Sequence, residues 1–146
     1  MRRFGAALLA VAAFAACSGG GPTFPAGWQK QPGTTATWMN GTPANRQTYA
    51  YSKEPFGGTL QDLAQREIVD AALRKPGVKF VKSDVFQPCP GVAAVATFAG
   101  GGQTLQDAFA VENGSAVVVR YVRPTAAPDD AAALAAMQRV LCVAPA

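Results

Sequence analysis

Nucleophilic catalysis and metal binding near neutral pH lean on histidine, and this chain of 146 residues has none. Its absence removes Ser-His-Asp and Cys-His constellations, imidazole metal ligands and the usual switch near neutral pH. The remaining candidates each carry two readings. Glu67 and Asp70 stand one helical turn apart, a spacing that could serve metal ligation or acid–base work. With Arg66 and Arg74 close by, the plainer reading is solvated ion pairs on a helix face, Asp70 and Arg74 forming an i,i+4 pair. Two carboxylates with no further ligand are a poor site for a hard cation. Gly100-Gly101-Gly102 could suggest phosphate binding, but a P-loop needs Gly-Lys-Ser/Thr opening a helix. Here Gln103-Thr104 leads into a strand pattern, so a flexible turn is expected. Arg74, Lys75, Lys79 and Lys82 could meet anionic lipid head groups or an acidic partner, or form a solvated rim. Arg120 and Arg123 point to opposite faces if both lie in one strand, and so form no patch. Trp28, Trp38, Tyr49 and Tyr51 could line a surface for a ligand or partner, although aromatics in strands usually pack a core. No catalytic set, metal site or cofactor motif emerges, and a non-enzymatic protein is expected.

The chain opens with Met1-Arg2-Arg3, continues with apolar residues or Gly from Phe4 to Ala16, and reaches Cys17. A basic head, a short apolar run and small residues before a cut site describe a secretory signal. The run is too short for a membrane span, which needs about 20 apolar residues, and Ser18-Gly19-Gly20-Gly21-Pro22 cannot continue a helix. Arg2-Arg3 hints at twin-arginine export, but the rest of that motif is missing and the general secretory route fits better. Phe14-Ala15-Ala16-Cys17 resembles a lipobox, the processing site of bacterial lipoproteins. The resemblance implies a signal over residues 1–16 and diacylglycerol on Cys17, which becomes the first residue after cleavage. Stable anchoring takes at least two acyl chains. Ser18 after the Cys resembles an outer-membrane address if the cell is Gram-negative. A plain cleaved signal with a soluble product is the other reading.

Two further cysteines, Cys89 and Cys142, lie in a domain read as exported. One disulfide is the first reading; two separate buried thiols or reactive thiols are the others. A bridge would close a loop of about 50 residues, for which the chain-entropy model gives roughly 4 kcal/mol as an upper figure. The formal charge of +4 falls to about +2 without Arg2 and Arg3. That is nearly neutral, and the high isoelectric point overstates any case for nucleic acid; no nucleic-acid partner is expected.

The elements that must position these residues follow from local pattern. Residues 17–26 read as the lipidated Cys and a flexible Gly- and Pro-rich tether, and residues 27–146 as one domain. Thr34 to Met39 and Gln47 to Ser52 read as strands around a turn at Asn40-Gly41-Thr42-Pro43. Thr59 to Lys75 is the clearest helix. Thr59 and Asp62 resemble a capping box, and Leu60, Leu63, Ala64, Ile68, Ala71 and Ala72 share a face. Pro76-Gly77 stops it. Val78 to Phe86, with Val78 and Phe80 on one face, and Val92 to Ala99 read as strands flanking a break at Gln87 to Gly91. Leu105 to Glu112 and Ala116 to Arg123 flank Asn113-Gly114, the strongest short hairpin signal. The two Asn-Gly-Thr/Ser triplets fit a glycosylation acceptor pattern but are better explained as turns. Asp129 or Asp130 caps a last helix with a Leu134, Met137, Leu141 stripe. Strands clustered between helices predict an α+β fold, an antiparallel sheet of about five or six strands with two helices packed on it.

The entry at Ala26-Gly27-Trp28, the helix from Thr59, the meander containing Ala116 to Arg123, Pro124 and the capped closing helix together resemble the PsbP-like α/β sandwich family. That family is found in a photosystem subunit and in many bacterial lipoproteins. The resemblance spans most of residues 26–143. It carries no catalytic residue and implies an assembly, stability or adaptor role. The combined expectation is a lipoprotein at the cell envelope, facing the periplasm or cell exterior, that binds a protein partner in assembly or maintenance. The alternative is a small-ligand binding lipoprotein using the aromatic face.

Overall fold

Asn113 and Gly114 both take positive φ, 47° and 72°. A two-residue hairpin turn of the favoured hand requires this, and Asn-Gly adopts it at little cost. The fold was obtained as a computed structural model, which describes residues 23–86 and 93–141. In chain order the elements are β1 (Gln29–Lys30), β2 (Thr37–Asn40), β3 (Gln47–Pro55), α1 (Leu60–Arg74), β4 (Lys79–Phe86), β5 (Ala93–Gly100), β6 (Gln103–Glu112), β7 (Ser115–Pro124) and α2 (Ala131–Leu141). A single 3-10 turn, Pro43–Asn45, lies between β2 and β3.

The strands form one sheet in the order β1-β2-β3-β7-β6-β5-β4, antiparallel at every neighbour. This is the α+β architecture expected, with seven strands rather than five or six. The difference comes partly from β1, a two-residue strand on Met39 and Trp38 that is too short to leave a pattern. The β6–β7 hairpin runs in unbroken register from Glu112↔Ser115 to Gln103↔Pro124. β3 and β4 run in the same direction with three strands between them, so α1, which connects them, must cross a face of the sheet.

The two helices cover opposite faces. Leu63 and Ala71 of α1 pack on Ala94, Ala96, Phe98, Leu105, Phe109 and Val118. Ala133, Ala136, Met137 and Val140 of α2 pack on Ala108, Ala110, Val117, Val119 and Tyr121, beside Trp28, Trp38 and Tyr49. A strand buried on both faces reads as a continuous apolar run, which accounts for Ala116 to Val119 in β7. Ala72 and Leu134, expected on the packed faces, are exposed, Leu134 by 38%. The side chain at 134 lies off the Ala133–Ala136–Met137–Val140 stripe that meets the sheet.

Local signals hold each element. Thr59 and Asp62 close a complete capping box on α1. The Asp130 carboxylate accepts the N–H groups of Ala132 and Ala133 at 2.9 and 3.0 Å, capping α2. It also accepts the Trp28 indole N–H at 3.3 Å. Gly100 cannot be replaced lightly: a Cβ there would collide with the carbonyl of Gly77 in the turn after α1.

The packed domain begins earlier than Gly27. Pro25 is fully buried, the Phe24 ring stacks on Trp38 at 5.3 Å, and Arg139 donates to the Phe24 carbonyl at 2.7 Å. Thr23 to Ala26 therefore belong to the α2 face and not to a free tether. Cys17, Cys89 and Cys142, with the expected lipid, disulfide and the break at Gln87 to Gly91, lie outside the described residues.

Candidate functional site

Glu67 is four residues from both Leu63 and Ala71, so the packed face of α1 carries it against the sheet. It is 3% exposed. In β6, Asp107 stands between Leu105 and Phe109 on the same sheet face and is 0% exposed. Its direct register partner on β7 is Arg120. These three charges meet under α1.

Arg120 grips Asp107 with two parallel bonds, Nε to Oδ1 at 2.7 Å and Nη2 to Oδ2. Its Nη2 also lies 3.7 Å from the Glu67 carboxylate. Arg66 donates to Glu67 Oε1 at 3.1 and 3.3 Å, and Arg74 to Oε2 at 3.3 Å. Arg66 reaches outward too, to Glu54 at 2.7 Å, with its guanidinium 5.1 Å from the Phe56 ring centre. Every carboxylate oxygen of Glu67 and Asp107 thus accepts from a guanidinium, as buried charge requires. Burial works against the Arg120 charge. The hydrogen bond and charge of Asp107, with Glu67 and Asp70, outweigh it and hold its pKa above the usual arginine value. Nearby Lys75 donates to Gln103 at 2.6 Å, and burial, then the Arg120 charge, lower its pKa.

Beside this network opens a cleft of about 580 Å³ between α1 and the β3–β7 part of the sheet. Ser52 and Glu54 of β3, Arg66, Asp70 and Arg74 of α1, and Arg120 of β7 line it. Glu67 closes its floor. The arrangement fixes charges of both signs at the wall of an open groove, a surface suited to binding charged or hydrogen-bonding groups.

The expected solvated pairs on α1 are corrected here. Glu67 is buried because its position falls inside the apolar stripe of the helix. Arg74 turns to Glu67 and meets Asp70 only through that residue's backbone carbonyl, at 3.3 Å. The basic residues Arg74, Lys75, Lys79 and Lys82 do not act as one patch: Arg74 pairs with Glu67, Lys75 with Gln103 and Lys82 with Asp84. Gly100 to Gly102 form the β5–β6 turn, as the plainer reading held. Arg120 and Arg123 do face opposite ways; Arg123 binds Asp129 and the carbonyls before α2.

Trp28, Trp38 and Tyr49 are packed together on the α2 face, edge to face at 6.4 and 6.5 Å from the Tyr49 ring. Tyr51 lies partly buried against the same cluster. Burial pushes the Tyr49 hydroxyl up to about 12, against a lesser lowering by its hydrogen bond with Thr23. Trp28, Trp38 and Tyr49 form core on the α2 side of the sheet, whereas Tyr51 packs against them and also borders the polar cleft. Sequence reading passed over Asp107 and the role of Arg120. The signal was a charged residue at an inward position, Leu105-x-Asp107-x-Phe109 and Val118-x-Arg120-x-Val122.

Among the described residues, no group of three or more acidic or Cys residues could hold a metal ion, and no helix is long and apolar enough to cross a membrane. No protein-family model matches the chain. No curated protein sequence matches it either. Among solved structures it is similar to the solution structure of cyanobacterial PsbP from Synechocystis sp. PCC 6803, with 10% identity over 70% of this chain and 72% of that one and a TM-score of 0.46. A likeness this loose does not bear on what this chain does.

Proposed function

We propose that this chain is a non-enzymatic lipoprotein of the cell envelope whose domain binds a protein partner in envelope assembly or maintenance. The signal-like residues 1–16, followed by Cys17 in a lipobox-like Phe14-Ala15-Ala16-Cys17, support the address. The observation that carries the binding role is the cleft walled by Arg66, Arg74, Asp70 and Glu54. The buried Glu67 holds Arg66 and Arg74, and with the buried Asp107 it holds Arg120, so this wall of the groove is pre-organised rather than mobile. Fixed charges of both signs give register and specificity to a protein contact more than raw affinity. The aromatic surface is the less favoured binding face, because Trp28, Trp38 and Tyr49 are committed to packing.

Cross-linking in intact cells followed by pull-down tests the role. A reproducible envelope partner, lost when Arg66 and Arg74 are both changed to Glu, supports it. Failure to recover any partner, or one retained in that variant, counts against the cleft. The intact mass of the chain from the membrane fraction tests the address. A mass starting at Cys17 plus acyl chains is expected, and one disulfide would add about two protons on reduction. The mass of the full unprocessed chain would refute it.

A further inference from the structure

β4 ends the sheet on the side away from β1, with one edge bonded to β5. Among the described residues nothing pairs with its other edge, which presents unpaired backbone N–H and C=O groups. Val81 and Val85 are 57% and 67% exposed there. Lys82 and Asp84 share a face of the strand and form an ion pair along it at 2.8 Å. Residues 81 to 85 read Val-Lys-Ser-Asp-Val. Turned end for end, the segment sets Val opposite Val, Lys opposite Asp, and Ser83 opposite itself.

We propose that β4 pairs antiparallel with β4 of a second copy of this chain, about a two-fold axis through Ser83, joining two sheets into one. Such an interface is isologous, as closed dimers require. Lys82 faces the second copy's Asp84, and Asp84 its Lys82, so each Lys lies between two carboxylates on one face. Val81 is the residue passed over where the register shifts between Phe80 and Lys82, so the regular outer edge starts at Lys82 and the pairing is short. A Lys on an edge strand ordinarily discourages foreign strands. Here it leaves a charge unmatched against any strand lacking an acid at that position, while the self-paired register supplies one. This pairing is independent of the cleft and of its proposed partner.

The test uses the full chain. Ser83→Cys, expressed in cells under mild oxidation, yields a disulfide-linked species of twice the chain mass. The parent chain does not yield it, and neither does Gln61→Cys on the exposed side of α1. In detergent, light scattering of the full chain shows Lys82→Asp weakening the dimer about tenfold or more. The swap Lys82→Asp with Asp84→Lys restores it. The proposal is overturned if Ser83→Cys, with unchanged circular dichroism, cross-links no more than Gln61→Cys. A Lys82→Asp variant dimerising like the parent also overturns it. So does a Ser83→Cys adduct of another mass, which would identify a foreign strand on this edge.

Discussion

Asp107 and Arg120 sit directly opposite one another on β6 and β7, and the guanidinium forks both oxygens of a carboxylate that water does not reach. Removing Arg120 leaves the Asp107 charge buried and without a partner. Arg120→Leu is therefore expected to cost about 3–5 kcal/mol. The double variant Asp107→Leu with Arg120→Leu is expected to cost much less than the sum of its singles. Urea unfolding of the four proteins in the cycle checks this, and additive losses would show that the pair is not coupled.

Alkaline stability should report on Tyr49. Its folded pKa of about 12 lies above the ordinary 10.0 because of burial, so the folded state holds the proton more tightly. That contribution is complete below pH 10 and is lost as pH rises towards 12, about 2–3 kcal/mol in all. Lys75, with a lowered pKa, acts in the opposite direction. Tyr49→Phe is expected to flatten the fall between pH 10 and 12, measured by denaturant midpoints across that range. An unchanged slope would refute the assignment.

The capping box makes α1 sensitive to one side chain. Thr59→Ala removes the acceptor for the Asp62 N–H, bonded at 3.2 Å, and should cost about 1 kcal/mol. Hydrogen bonds from the Thr59 N–H and hydroxyl hold the Asp62 carboxyl below its ordinary pKa. Its contribution is thus present above that ordinary value and lost as pH falls through the folded one. An acid titration of stability should show the loss in the parent and not in Asp62→Asn.

Asp130 joins three parts of the fold, accepting from α2 backbone, from the Trp28 indole and from Asn40 at 3.4 Å. Asp130→Ala should lower stability by about 1–2 kcal/mol. It should also shift Trp emission, since the indole loses its partner. Emission unchanged with stability reduced would assign the effect to the helix cap alone.

Gly100 has φ 154° and lies against the Gly77 carbonyl. Gly100→Ala forces the β5–β6 turn away from the loop after α1 and is expected to cost about 2 kcal/mol. Thermal unfolding checks it, with Gly101→Ala, which meets no nearby atom, as the comparison for backbone strain alone.

The sequence by itself determined what depends on a few neighbouring residues. Asn113-Gly114 dictated a hairpin because both residues accept positive φ. Thr59, Asp62 and Pro76-Gly77 bounded α1 because they satisfy or remove specific backbone N–H groups. The order of strands and helices then led to an antiparallel sheet carrying two helices. Only the tertiary structure decided which face each helix covers and what the buried charges touch. Glu67 looked like half of a solvated pair because Arg66 and Arg74 are its neighbours along the helix. Its burial depends on how α1 crosses the sheet between β3 and β4. Asp107 meets Arg120 because the β6–β7 register sets them opposite, and Arg120 meets Glu67 because α1 passes above. A side chain's periodicity fixes the face it shares with its neighbours, whereas its partner is set by the alignment of segments far apart in the chain.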